Sequence, residues 1–225
     1  MKAQRLERTR QITMNKIIVI GTTHSEKGRC TSDSLYNILK DIKPQVLYLE
    51  AKPIDYKKVL KNQLQDSLET QAIKQYLMTQ TLNHHAVDLN DMPSREKFRK
   101  MLNTFNRNPE YQRVMDEYND LCHFHGFKFL NSANADQMQD YLNFLESDIV
   151  KSINNKELTD IYNEALDLHT SRENHWISKI TEQQAKTEFQ EGVFLVGAGH
   201  RVTIKEKLDL LKQSTIHWDF EYFRS

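Results

Sequence analysis

Short apolar runs alternate along this chain with longer segments in which apolar residues recur every three or four positions. Such runs are typical of strands buried in a parallel sheet, and such segments are typical of amphipathic helices. The runs predict strands at residues 16–20, 46–49, 85–89, 193–196 and 216–223. This alternation predicts an α/β fold with a central, mostly parallel or mixed β-sheet flanked by helices.

The predicted helices have recognisable beginnings and ends. The first begins at Thr31 or Ser32, either of which can cap a helix, and ends before Pro44. Gly192 is expected to end the helical region before the fourth strand. Helical spacing also covers residues 56–81, 157–176 and 204–211.

Residues 93–156 differ in character from the rest of the chain. They contain helical patterns and many Asn and Gln residues, and within them only residues 127–130 resemble a strand. We interpret this stretch as a helical insertion that caps the sheet. Because variable connections carry recognition, the cap is expected to set substrate choice. Residues 14–225 would then form one domain, preceded by a flexible tail at residues 1–13.

Composition narrows the class of protein. The 225 residues carry 31 Lys and Arg against 31 Asp and Glu, which leaves no net charge to hold nucleic acid or an anionic membrane. No apolar run approaches the roughly 20 residues that cross a bilayer, and no signal peptide is evident. Cys30 and Cys122 are too few for a disulfide framework. These features favour a soluble cytoplasmic protein with reduced thiols and an oligomeric state left open.

Two Gly-x-x-His turns follow predicted strands. One ends at His24 after the first strand, and the other ends at His200 after the fourth strand. Open α/β sheets place their ligand clefts at the carboxyl ends of strands, so the two imidazoles meet if these strands are neighbours. Glu50 ends the second strand and Asp88 lies near the end of the third, at the same predicted edge.

These residue types suit metal-assisted hydrolysis. A divalent ion that activates water commonly takes imidazole and carboxylate ligands, and His24, Glu50 and His200 offer that set. Glu69 or Glu50 would accept the proton of the water. Arg172 falls on the apolar stripe of its helix, so it must be paired with an anion or lie in a wet cleft, where it would stabilise an oxyanion.

Each candidate also has a simpler interpretation. A histidine after a strand is often only a satisfied polar residue, and Glu50 could pair with a lysine. Glu69 borders its helix's apolar stripe and could lie on a solvated face, and Arg172 could form a purely structural ion pair. The remaining histidines that were considered lack metal-ligand spacing and are interpreted as surface or packing residues: His84, His85, His123, His125, His175 and His217.

The second turn also partly resembles a dinucleotide-binding motif. Residues 193–199 have the outline of a strand that enters a Gly-x-Gly turn, but Val202 stands where the third glycine belongs. The chain contains neither a phosphate-binding Gly-x-x-x-x-Gly-Lys-Ser/Thr loop nor a Gly-x-Ser-x-Gly elbow. Nucleotide and serine-hydrolase functions are therefore disfavoured.

Four segments, taken in order, resemble the TraB/PrgY/Tiki group, whose wider relatives are the ChaN-like and erythromycin-esterase-like proteins. The segments are residues 18–24, 44–50, 171–174 and 196–200. The resemblance implies an α/β fold with one cleft that holds both Gly-x-x-His histidines, a strand-end glutamate and a helix arginine. Animal Tiki members are described as metal-dependent peptidases, and bacterial members are linked to shutting down peptide pheromone signalling.

By position, the resemblance carries over to His24, Glu50, Arg172 and His200. Glu69 resembles the group's second glutamate, although the usual preceding glycine is missing, and Asp88 resembles an acid at the end of the third strand. The group often has a small apolar residue and a glycine after the second histidine. Here residues 201–203 are Arg-Val-Thr, which predicts a different local loop.

The sequence therefore predicts a metal-dependent hydrolase, with Mn, Co or Zn as its divalent ion, that acts on a peptide or another amide or ester. The first alternative is a non-catalytic protein that sequesters a peptide or small ligand, with Arg172 and Glu50 as a salt-bridged recognition pair. The second alternative is an interaction scaffold whose working surface is the helical insertion at residues 93–156.

Overall fold

One sheet of five parallel strands forms the centre of the part of the chain that the structure describes. The computed structural model describes residues 15–89, 95–187, 189–211 and 215–224. The strands are β1 (Asn15–Thr22), β2 (Val46–Leu49), β3 (Asn83–Ala86), β4 (Glu191–Gly197) and β5 (Ile216–Asp219). Their order is β3-β2-β4-β1-β5, and every neighbouring pair is parallel. The predicted α/β fold is confirmed, whereas the predicted tail at residues 1–13 lies outside the described residues.

Helices surround this sheet and build the cap. Within the described ranges they are α1 (Ser32–Ile42), α2 (Pro53–Leu60), α3 (Leu68–Leu77), α4 (Arg95–Phe105), α5 (Pro109–His125), α6 (Phe127–Leu130), α7 (Ala133–Ile153), α8 (Lys156–Gln184) and α9 (Arg201–Leu210). Single turns of 3-10 helix lie at Ala198–His200 and Tyr222–Arg224. In the segments that the structure describes, no helix has both the length and the apolar character that spanning a membrane requires.

The central strand β1 is buried on both faces because its side chains alternate between two cores. Ile18 and Ile20 pack on the face covered by α1 and α3. Ile17 and Val19 pack on the opposite face, where Trp176 of α8 contributes to the core. Burial on both faces explains why β1 is a continuous apolar run rather than an alternating one.

Local signals set both ends of α1 as predicted and also start α3 at a position that was not predicted. The Thr31 side chain accepts a hydrogen bond from the Ser34 amide and caps α1, and Lys43 in the left-handed region ends that helix before Pro44. Ser67 forms a capping box with Thr70 at the start of α3. Because α3 has its own cap, the helix predicted over residues 56–81 is in fact two helices, α2 and α3.

Four sequence-based boundaries are corrected by the structure. Residues 127–130 form the short helix α6 rather than a strand, because Gly126 turns the chain at φ 60° and an α-helical turn follows. Gly192 does not end a helix; it lies in β4, where an added Cβ would meet Ile17 and Val46 at less than 3 Å. The third strand is Asn83–Ala86 rather than residues 85–89, and the last strand stops at Asp219 rather than at Phe223.

The cap has a hydrophobic core of its own. Apolar side chains of α4, α5, α7 and the first half of α8 form this core, separate from the two cores of the sheet. The long helix α8 joins cap and sheet, since Leu158 and Ile161 lie in the cap core and Trp176 and Ile180 lie in a sheet core. The helical character predicted for residues 93–156 holds for residues 95–156; the predicted start at Pro93 lies outside the described residues.

The two cysteines meet beneath the loop that follows β1. Cys30 Sγ and Cys122 Sγ are 3.5 Å apart and share a buried hydrogen bond. A disulfide needs about 2.05 Å, so a small movement would join this loop to α5.

We expect glutathione disulfide to oxidise this pair, with two protein thiols giving up two protons and two electrons and two glutathione molecules formed. The link should raise the free energy of unfolding by about 2–4 kcal/mol, because it constrains the unfolded chain. Counting the free thiols of the denatured protein measures the oxidation, and urea unfolding curves measure the gain in stability. Cys122→Ala, which cannot form the link, is the control. Two free thiols after prolonged treatment would contradict the expectation.

Candidate active site

The two Gly-x-x-His turns lie side by side because β1 and β4 are hydrogen-bonded neighbours. In their parallel register, Thr22 pairs with Gly197 at the carboxyl end of both strands. His24 follows β1 and His200 follows β4, so both histidines lie at the same edge of the sheet. The two strands are therefore neighbours, which was the condition for the two imidazoles to lie close together.

Three candidate ligands converge on the space above Gly197. A Cβ atom added there would lie 3.2 Å from Glu50 Oε2, 3.6 Å from His200 Cδ2 and 3.8 Å from His24 Nε2. Glu50 is fixed in this position because its Oε2 accepts a 2.7 Å hydrogen bond from the Gly197 amide. The absence of a side chain at Gly197 leaves this shared space open.

Each imidazole has a carboxylate behind it. His200 Nδ1 is 2.6 Å from Glu173 Oε1, and His24 Nδ1 is 3.6 Å from Glu69 Oε1. His200 Nε2 is directed to the other side, 3.9 Å from Glu50 Oε1. Metal-binding histidines commonly have this arrangement, in which a carboxylate fixes the ring orientation and makes the other nitrogen a better ligand.

The two backing carboxylates are held ionised despite their burial. Burial raises the pKa of Glu69, but the neighbouring His24 imidazole and a hydrogen bond from Thr22 outweigh this effect, and the net pKa lies below the usual value. The Thr22 hydroxyl donates to Glu69 Oε1 at 2.6 Å. Burial also opposes ionisation of Glu173, and hydrogen bonds from His200 and Lys207 again leave its pKa below the usual value. In turn, the Glu69 carboxylate raises the pKa of His24.

Arg172 binds two carboxylates at once. Its Nε and Nη2 donate to Asp88 Oδ1 and Oδ2 at 2.9 and 2.8 Å, and Nη2 also donates to Glu50 Oε1 at 2.5 Å. Trp176 Nε1 donates a further hydrogen bond of 2.9 Å to Asp88. Of the two alternatives predicted for Arg172, an anionic partner or a wet cleft, the structure shows the first, and Asp88 lies in the same cluster as Glu50.

Two buried side chains, those of Asn131 and Arg201, hold the first Gly-x-x-His turn in place. Asn131 accepts a hydrogen bond from the Gly21 amide at 2.6 Å and donates to the Gly21 carbonyl at 3.1 Å. Arg201 donates to Asn131 Oδ1 and to the Val19 carbonyl, and it is only 1% exposed. The arginine that departs from the TraB-like pattern therefore points into the core and supports β1 from behind.

The donor set at this edge fits a divalent ion in its chemistry. It comprises two imidazoles and one carboxylate, the ligand types expected for Mn, Co or Zn. Within the described ranges, no three His, Cys, Asp or Glu side chains already form a compact metal-binding group. The side chain of His24 is 69% exposed, which gives it room to turn toward the other two ligands.

Two cavities flank the convergence point. The first, of about 240 Å³, is lined by His24, Glu50 and Glu69 together with residues of α2 and α3. The second, of about 270 Å³, lies between the cap and the sheet and is lined by His200 and Glu173 together with residues of α4, α7 and α8. The cap therefore borders the candidate site directly, next to His200.

Sequence reasoning missed the roles of two residues on α8. Glu173 orients His200, and the His169 ring lies 5.0 Å from the His200 ring. Burial, followed by the neighbouring His200 and Arg172, lowers the pKa of His169 to about 4, so this ring is neutral at pH 7. Residues 169, 172 and 173 are spaced three and four positions apart, so helical periodicity would have placed all three on one face.

Comparisons with protein-family models, with curated proteins and with solved structures find no match for this chain. The resemblance to the TraB/PrgY/Tiki group therefore rests on the four sequence segments alone.

Proposed function

We propose that this protein is a metal-assisted hydrolase that acts on a peptide or on another amide or ester. The observation that carries the proposal is the convergence of His24, Glu50 and His200 on the open space above Gly197. Each imidazole has a carboxylate next to its Nδ1 atom. A carboxylate in this position orients the ring and makes the other nitrogen a better ligand, which favours ion binding over a purely structural role.

Local charge supports the same proposal. With both imidazoles unprotonated, as metal ligands must be, four carboxylates face two cations in this cluster, which leaves a formal charge of −2. A divalent cation would neutralise that charge. The groups counted are Glu50, Glu69, Asp88 and Glu173 against Arg172 and Lys207.

We assign the general base to Glu69. It lines the same cavity as His24 and Glu50, and its carboxylate is ionised at neutral pH, as a proton acceptor must be. Glu50 is less suited to this role, because its hydrogen bonds from Arg172 and the Gly197 amide oppose its protonation, although each oxygen keeps a lone pair for an ion. A bound divalent ion would lower the pKa of a water molecule and polarise the substrate carbonyl.

Arg172 is assigned a positioning role rather than contact with an oxyanion. Its side chain is only 6% exposed, and its hydrogen bonds to Asp88 and Glu50 hold the guanidinium beneath the site. This pairing fixes the carboxylate of Glu50 in the orientation that faces His200.

Metal removal tests the function. Purified protein should hydrolyse members of a peptide library, lose that activity with a chelator and regain it with Mn, Co or Zn. His24→Ala and His200→Ala should each lose on the order of 10²-fold or more in activity. His125→Ala removes an exposed histidine at the end of α5 and should have no effect. Hydrolysis that survives both the chelator and the two active-site variants would overturn the proposal.

Ligand sequestration without turnover is the second candidate function. The cavities beside His24 and His200 favour it, since each has room for a side chain or a small ligand without any metal ion. Tight ligand binding by protein that contains no metal on elemental analysis, without turnover in any metal-supplemented assay, would support this candidate.

A further inference from the structure

The cavity between cap and sheet has apolar walls and polar groups at defined positions. We name it the cap cavity. Its volume of about 270 Å³ suits one side chain better than a larger ligand. The apolar walls come mainly from Phe98, Met101, Leu102, Ala165 and Leu166 of α4 and α8.

Glu146 of α7 is the notable charged group in the cap cavity. Its carboxylate is half-buried and accepts one hydrogen bond, of 3.0 Å, from the Tyr111 hydroxyl. Within the described ranges, no lysine or arginine forms an ion pair with it. Burial raises the pKa of Glu146 in spite of the Tyr111 bond, as expected for a carboxylate without a nearby cation. A partly desolvated carboxylate of this kind is stabilised when a cationic ligand binds next to it.

Other acidic residues nearby differ from Glu146 in this respect. Glu173 also lines the cap cavity, but it is bound by His200 and Lys207. Glu164, on the outer surface of α8, is paired with Lys97. Glu146 therefore differs from Glu173 and Glu164 in having no cationic partner among the described residues.

We infer that the cap cavity binds a basic side chain of the substrate, lysine-like or arginine-like, beside the hydrolytic centre. The apolar walls would pack against the aliphatic stem, and Glu146 would pair with the terminal charge. Because His200 lines the same cavity, the bound side chain lies next to the proposed metal ligands. The inference rests on the proposed function in so far as the basic group belongs to a substrate.

Direct binding tests this inference without requiring turnover. The two probes are lysine amide and norleucine amide, each acetylated on its α-nitrogen. Their side chains have similar aliphatic stems, and only the lysine compound carries a terminal ammonium group. Calorimetric titration of the full chain at neutral pH should show about tenfold tighter binding of the lysine compound. Glu146→Gln keeps an acceptor for Tyr111 and should abolish this preference.

Two control variants separate charge from structure. Glu164→Gln removes an exposed carboxylate that is already paired and should keep the full preference. Tyr111→Phe removes the hydrogen bond to Glu146 but keeps its charge, so the lysine compound should still bind more tightly. If Glu146→Gln fails to fold, Glu146→Ala is the second variant that removes the charge, and equal binding of the two compounds to the wild type would still overturn the inference.

The outcomes distinguish this inference from the proposed function. A lysine preference that depends on Glu146 in a protein without hydrolytic activity would support the subsite and count against the hydrolase. Metal-dependent hydrolysis that is indifferent to basic residues and unaffected by Glu146→Gln would overturn the subsite alone. Equal binding of the two compounds, or binding of neither, would also overturn it.

Discussion

Replacing Arg172 by methionine is expected to lower the free energy of unfolding by about 3–5 kcal/mol, the cost typical of breaking a buried ion pair by removing one partner. Methionine fills much of the same volume, so the loss would come chiefly from charge. Asp88 and Glu50 would remain as carboxylates only 5 and 6% exposed in their side chains, without their guanidinium partner. Urea unfolding curves measure the change.

The exposed Arg113 provides a matched control for this variant. It also pairs with two carboxylates, those of Glu110 and Glu117, but its side chain is 60% exposed. Because water screens such pairs, Arg113→Met should cost less than about 1 kcal/mol. Equal losses in the two variants would contradict the view that burial makes the Arg172 cluster costly to break.

Neutralising one of the two unpaired carboxylates gives a further check. Adding Asp88→Asn to Arg172→Met should recover part of the lost stability, because a neutral amide costs less to bury than an unpaired carboxylate. If the double variant is as unstable as the sum of the two single variants, the ion pair is not the source of the effect.

Gly197→Ala is expected to disrupt the proposed metal site while the protein stays folded. The new methyl group would occupy the point on which Glu50, His24 and His200 converge, 3.2 Å from Glu50 Oε2. Metal affinity should fall by 10- to 100-fold, as is typical of changes in the surroundings of a metal site, and kcat/KM by on the order of 10²-fold. Metal titration and steady-state kinetics measure these losses.

Stability should change little in the same variant. Gly197 has φ −53° and ψ 131°, a conformation that alanine adopts readily. Replacing glycine there restricts the unfolded chain and contributes about 0.4–1 kcal/mol of stability, which offsets the tight contact with Glu50. Gly199→Ala is the control for metal affinity, because its methyl group would meet only Gln139, at 3.7 Å. Unchanged metal affinity in Gly197→Ala would show that the ion binds elsewhere.

Much of the fold was predictable because local patterns report burial directly. The apolar runs of β1, β2 and β4 predicted the strands, and the Thr31 cap and the following Pro44 predicted the limits of α1. The prediction at residues 127–130 was wrong because Phe-Lys-Phe-Leu alternates like a strand. A single helical turn after Gly126 also buries Phe127, Phe129 and Leu130, and four residues cannot distinguish the two periods.

The candidate site was predictable in part. Strand ends placed Glu50 and Asp88 at the edge that carries His24, and the apolar stripe of α8 required an anionic partner for Arg172. The partner itself, Asp88, is 84 positions away and could not be read from spacing. The pairing of Glu173 with His200 depends equally on how α8 packs against the turn after β4.

By itself, the sequence determined the alternation of strands and helices, the two Gly-x-x-His turns and the burial of an arginine, because each depends on residues close together in the chain. Only the tertiary structure decided that β4 inserts between β1 and β2, which places His200 beside both His24 and Glu50. It also placed the cap so that Glu146 shares a cavity with His200. Strand order and cavity shape follow from packing between distant segments, and no local pattern of apolar and polar residues records that packing.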